Sequence, residues 1–224
     1  MSLSARVALL GVILVACGRG RHASTAAVAT PAYSRVDSFR IAMPELGGRQ
    51  RTVRVYLPRR YGRGGVSFPV LYLQDGQQLF SPGPFGDWQV DETIDRLTAD
   101  GRWDGVIVVG VDNGAALRWD EYGPWVNRRM HDWVAAAYAA PAQGGEGAAY
   151  VRFLANTLKP EIDRRYRTMP DRAHTGVGGS SMGGLISLYA GLTRPDVFSK
   201  VMALSTAVWF AEDGGAGLAR PAVY

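Results

Sequence analysis

The stretch Thr175-Gly176-Val177-Gly178-Gly179-Ser180-Ser181-Met182-Gly183-Gly184-Leu185-Ile186-Ser187-Leu188-Tyr189 decides how this chain folds. Thr175 to Gly178 reads as a short strand. Leu185 to Leu192 is apolar enough for a helix, which ends near Pro195. Between them, Gly179-Ser180-Ser181-Met182-Gly183 matches G-x-S-x-G. A serine on a sharp strand-to-helix turn takes a strained backbone conformation, and the residues two before and two after crowd it, so only glycine fits at 179 and 183. The turn lifts the hydroxyl above a sheet and aims the N-terminal N–H groups of the helix at it. The five-residue pattern is common by chance in a glycine-rich chain. Its position between a strand and a helix makes it specific.

Working outward, the neighbouring segments fit a sheet. Phe39 to Met43 and Arg51 to Leu57 alternate apolar and polar, two half-buried strands joined through Gly47-Gly48 as an edge hairpin. Pro69 to Gln74 and Val106 to Val111 are nearly continuous apolar runs, as strands covered on both faces should be. Val90 to Ala99 reads as a helix with Ile94 and Leu97 inward. Tyr150, Phe153, Leu154, Leu158, Ile162 and Tyr166 recur at helical spacing, with a kink expected at Pro160. Val201 to Ser205 is a further strand. Residues 112–147 show no strong period and read as a long loop bearing Trp119, Tyr122, Trp125 and Trp133, and long loops in compact domains are often functional. A hairpin followed by alternating strands and helices predicts an α/β protein, its sheet mostly parallel with helices on both faces.

The N-terminus has a different character. Arg6 precedes an apolar run from Val7 to Ala16, shorter than the roughly 20 residues needed to span a bilayer. Leu14-Val15-Ala16-Cys17 resembles a bacterial lipobox, which makes residues 1–16 a lipoprotein signal peptide and Cys17 the lipidated first residue of the mature chain. Residues 17–34 are small, polar and aperiodic, a flexible tether. The domain proper is then 35–224, and the expected location is the cell envelope, outer membrane or periplasm-facing, with the membrane reached through the lipid on Cys17.

Composition narrows the chemistry. The 224 residues are 47% hydrophobic, enough for a real core, and the net charge of +5 is only mildly basic, which speaks against a nucleic-acid partner. A single cysteine rules out an internal disulfide, and three scattered histidines share no metal-ligand spacing, so no metal or other cofactor is implied.

The motif resembles the elbow of a family of esterases that includes feruloyl, acetyl-xylan and enterobactin esterases, esterase D-like S-formylglutathione hydrolases and mycolyltransferases. Leu71-Tyr72-Leu73-Gln74-Asp75-Gly76-Gln77-Gln78-Leu79-Phe80 is similar to that family's first buried strand and Asp-Gly turn. Trp88 to Glu92, Val108 to Gly114, Asp120 to Trp125, Pro195 to Phe198 and Ser205 to Trp209 resemble further blocks. The resemblance implies an α/β-hydrolase fold and a serine esterase acting on small or carbohydrate-linked esters. Ser181 would be the nucleophile that carries the acyl group. Two backbone N–H donors would stabilise the oxyanion: Met182, and one from the Asp75-Gly76-Gln77 turn, with Gln77 favoured and Gly76 second. Asp75 reads as a structural turn residue. Tyr122 and Trp125 are candidates for the substrate pocket wall, with core packing as the alternative for either.

A serine nucleophile needs a general base, and in this fold the order is Ser, then Asp or Glu, then His. No histidine follows Ser181 up to Tyr224. His174 precedes it by the length of one strand, roughly 20 Å at ~3.3 Å per residue. His131 falls in the long loop and reads as an ordinary surface or packing residue. The catalytic acid and base, with the last strand or strands of the sheet, are therefore expected beyond residue 224, and the chain as given is expected to be inactive. Two alternatives remain open: an envelope lipoprotein that binds sugars or esters without turnover, and an acyltransferase of the same fold. Adjacent Asp91 and Glu92 cannot face each other across a glycosidic bond, which leaves a glycosidase unsupported.

Overall fold

The computed structural model describes residues 34–83, 86–127 and 144–210. Residues 1–33, with Cys17 and the signal-like segment, lie outside these, as do His131, Trp133 and residues 211–224. Ser34 belongs to the folded body, since its hydroxyl donates to Asp95 at 2.6 Å.

Six strands form one sheet in the order β1-β2-β4-β3-β5-β6: β1 (Arg35–Met43), β2 (Arg49–Leu57), β3 (Val70–Gln74), β4 (Ile107–Val111), β5 (Thr175–Ser180) and β6 (Lys200–Leu204). β1 and β2 are the expected hairpin, pairing antiparallel from Arg35 opposite Leu57 to Met43 opposite Arg49. Gly47 and Gly48 reverse the chain at φ +67° and +77°, a conformation that side chains rarely adopt. β2 meets β4 antiparallel, and the remaining pairs are parallel.

Side-chain alternation sends Val53, Val55 and Leu57 of β2 to one face and Tyr56 to the other. The first face is the larger core. It is covered by α3 (Gly147–Arg152), a π-helical stretch Phe153–Leu158, α4 (Lys159–Arg165) and α5 (Met182–Thr193). Phe153, Leu154, Leu158 and Ile162 are fully buried there, as their spacing predicts, and each contributes about 1.5–3 kcal/mol of burial. Pro160 sits in the first turn of α4 and has no N–H to give a preceding carbonyl, so the wider turn ahead of it takes up the break. The second face is covered by α1 (Val90–Leu97), which buries Ile94 against Tyr56, Leu73, Leu79 and Val108.

Two expectations are corrected. Leu97 is 60% exposed; it is the last residue of α1, which meets the core through Val90 and Ile94. The segment after β4 is not all loop, for Ala115–Leu117 form a 3-10 turn and Arg118–Tyr122 form α2. A five-residue helix is too short to leave a period in the sequence.

β3 lies between β4 and β5, so the chain leaves β3 in one direction along the sheet and, after β4, returns to its other side. The loops therefore part between the C-terminal ends of β3 and β5. Such a switch point opens a crevice in which α/β sheets bind ligands.

Candidate functional site

Ser181 follows β5 directly and caps α5, and it stands at that crevice. Its backbone has φ 57° and ψ −121°, a conformation that costs a non-glycine residue about 1–3 kcal/mol. Three hydrogen bonds hold it there. Its N–H donates to Leu204 O at 3.0 Å, and its carbonyl accepts from Leu185 N and Ala207 N, each at 3.0 Å. The turn is tight enough to require its glycines. A Cβ on Gly179 would lie 2.7 Å from the carbonyl carbon and oxygen of Gly183, and one on Gly184 would lie 2.9 Å from Leu204 O.

The turn after β3 packs against this elbow. A Cβ on Gly183 would come within 3.0 Å of Gln74 Cβ and 3.1 Å of Asp75 Oδ2. Asp75 adopts the left-handed conformation (φ 58°, ψ 46°), and Gly76–Gln78 form a single 3-10 turn. Gly76 and Gln77 open that turn as Met182 opens α5, and N–H groups at such positions have no acceptor within their own helix. The two turns that carry the proposed oxyanion donors are thus brought into contact, and the hydroxyl of Ser181 stands at the start of α5, where the helix dipole favours negative charge.

Behind the turn lies a buried polar network that the sequence did not disclose. Gln74 accepts from Tyr150 Oη at 2.6 Å and reaches Ser187 Oγ at 3.5 Å. Tyr122 Oη accepts from Asp75 N at 3.2 Å. Glu121, with 0% exposure, takes Arg51 Nη2 at 2.6 and 2.7 Å and Arg49 Nη1 at 3.2 Å, and Glu146 holds the other side of Arg49. Burial drives the hydroxyl pKa values of Tyr122 and Tyr150 upward, so both stay protonated, and Tyr150 can donate to Gln74.

The sequence-derived candidates are placed as follows. Ser181, Met182, Gly76 and Gln77 gather at the crevice. Tyr122 is fully buried with its hydroxyl on Asp75 N, which is the packing alternative and not a pocket wall. Trp125 is half-buried, and its Nε1 donates to Phe210 O at 2.7 Å. Asp75 is ion-paired to Arg118. His174 is the one histidine among the described residues; it lies before β5, at the far end from Ser181, with Nδ1 2.8 Å from Asp171 Oδ2. Trp209 was not singled out as a site residue. It follows Ala207, which bonds Ser181, is 42% exposed, and has its ring centroid 6.1 Å from that of Trp119. Only the path of the chain after β6 reveals this, because Trp209 is distant from Ser181 in sequence. Among the described residues, no three His, Cys, Asp or Glu side chains gather as a metal site.

A serine raised on a strand-to-helix elbow at the switch point, packed against the turn after β3, has the arrangement of an α/β-hydrolase-like site. The profile of the family described as "Putative esterase" matches residues 44–219, and the chain belongs to that family. It is 28% identical over 152 residues to the siderophore triacetylfusarinine C esterase of Aspergillus fumigatus, covering 68% of this chain and 48% of the relative. It is 29% identical over 160 residues to the uncharacterized protein YbbA of Bacillus subtilis, covering 71% and 58%. A solved ferulic acid esterase superposes with a TM-score of 0.57 at 25% identity, over 79% of this chain and 59% of the other. The chain thus spans about half to three-fifths of the length of these relatives.

Proposed function

We propose that this protein is a serine carboxylic-ester hydrolase that works through an acyl-enzyme on Ser181. The observation that carries the reading is the strained elbow of Ser181 packed against the Asp75-Gly76-Gln77 turn. Ser181 Oγ attacks the ester carbonyl, the N–H groups of Met182 and Gln77 or Gly76 stabilise the oxyanion, the alcohol leaves, and water releases the acid. Activation of Ser181 calls for a histidine base oriented by a carboxylate. Relatives named for a siderophore ester and for ferulic acid support ester hydrolysis, and we extend the proposal to small or carbohydrate-linked esters.

The test, on a protein that supplies this base and its carboxylate, is hydrolysis of p-nitrophenyl acetate and labelling by a fluorophosphonate, with the label located by peptide mass spectrometry. Label on Ser181, with both signals lost in Ser181→Ala, is the expected result. Hydrolysis that survives Ser181→Ala refutes the assignment. We further propose that lipidated Cys17 holds the domain on the envelope. Cys17→Ser should release it from the membrane fraction, and unchanged membrane association refutes that role.

A further inference from the structure

The turn proposed to bind the oxyanion carries a buried negative charge. Asp75 is 5% exposed, and its Oδ2 lies 3.1 Å from where a Cβ on Gly183 would stand, beside the residue that follows Met182. An unpaired carboxylate there would repel an oxyanion held by the same turn. It is not unpaired. Arg118 Nε donates to Oδ1 at 2.7 Å and Nη2 to Oδ2 at 2.9 Å, a two-point grip, and Asn113 Nδ2 donates to Oδ1 at 2.7 Å. Asn113 also binds the turn a second time, its backbone N–H donating to Gln77 Oε1 at 3.1 Å.

The grip comes from α2. Arg118 and Tyr122 are four residues apart and share one face of it, with the Arg118 guanidinium 5.1 Å from the centre of the Tyr122 ring. Arg118 holds the carboxylate of Asp75 while Tyr122 accepts its backbone N–H. Together they fix a non-glycine residue in the left-handed conformation immediately before the donor amides.

We infer that Arg118 is a positioning residue for the oxyanion-binding turn. It locks Asp75 so that the Gly76 and Gln77 amides point into the crevice, and it cancels the Asp75 charge beside the developing oxyanion. The inference rests on the esterase reading for its catalytic consequence. Its structural half, the locked turn, stands apart from that reading.

The test compares wild type, Arg118→Gln and Arg118→Lys by steady-state p-nitrophenyl acetate hydrolysis and by amide hydrogen exchange. In Arg118→Gln, kcat should fall about 10- to 100-fold with KM within about twofold, because the lost interaction matters in the transition state. Arg118→Lys, which restores the charge without the two-point grip, should fall between. The hydrogen-bonded amides of the turn, Asp75 N on Tyr122 Oη and Gln78 N on Asp75 O, should exchange faster in Arg118→Gln while those of β5 and α5 keep their rates. Unchanged exchange at Asp75 and Gln78, a uniform rise across the domain, or a lower melting temperature with unaltered kcat overturns the inference. If Arg118→Gln does not fold, Arg118→Lys carries the same comparisons. Should the wild type lack turnover, the kinetic comparison says nothing of Arg118, and local exchange at Asp75 and Gln78 alone decides whether Arg118 locks the turn.

Discussion

Gly76→Ala isolates one contact between the turn and the sheet. A Cβ at Gly76 would stand 2.6 Å from Gly110 C, 2.8 Å from Gly110 O and 2.8 Å from Val111 C. All three are backbone atoms of β4, a strand buried along its whole length, so no flexible side chain can yield. Overpacking of this kind costs about 1–3 kcal/mol, and a rigid neighbour places Gly76→Ala near about 3 kcal/mol. For a domain of this size that lowers the melting temperature by about 6–12 °C. The comparison is Gly47→Ala, where φ is +67° and nothing lies within 4 Å. Only backbone strain of about 1 kcal/mol applies there, or about 2–4 °C. Thermal unfolding followed by circular dichroism measures both. If Gly76→Ala melts within about 2 °C of wild type, the turn is not held against β4 as described.

Tyr150→Phe removes the hydroxyl 2.6 Å from buried Gln74 Oε1 and should lower unfolding free energy by about 1–3 kcal/mol; an unshifted urea midpoint would count against the network. Glu121→Gln leaves Arg51 buried without a counter-charge and should cost about 3–5 kcal/mol; a variant as stable as wild type would show that the ion pair holds nothing in place. Asp91 has its carboxyl pushed up to about 6, by burial first and then by its hydrogen bond to Glu92, against an unfolded value of 3.8. The folded state binds that proton more tightly, so this group makes stability fall as pH rises from about 4 to 6. Asp91→Asn should therefore gain on wild type across that window, by less than about 1 kcal/mol at a half-exposed helix end. Thermal midpoints at pH 4 and pH 7 that differ from wild type by the same amount would contradict it.

Much of the fold was legible because its signals are local. Gly179, Ser181 and Gly183 stand within one turn, so the steric demand of the elbow appears as a five-residue pattern. The hairpin appears in the same way, through the alternation of Arg51 to Leu57 and the glycine pair at 47 and 48. Buried β3 and β4 announce themselves as apolar runs. Helix α2 left no such trace, since five residues bearing Arg118, Trp119, Glu121 and Tyr122 look like loop until each side chain meets its partner.

By itself, then, the amino-acid sequence determined the strands, the elbow and the Asp-Gly turn after β3, because each depends on neighbours a few residues away. The tertiary structure alone decided that β3 lies between β4 and β5, which brings Gly76 and Gln77 to Ser181. It alone placed Arg118 on Asp75, Glu121 between Arg49 and Arg51, and Ala207 on the carbonyl of Ser181. These contacts join residues some 30 to 110 positions apart, and only burial in a shared core, where charge and hydrogen-bonding groups must find partners, selects which of them meet.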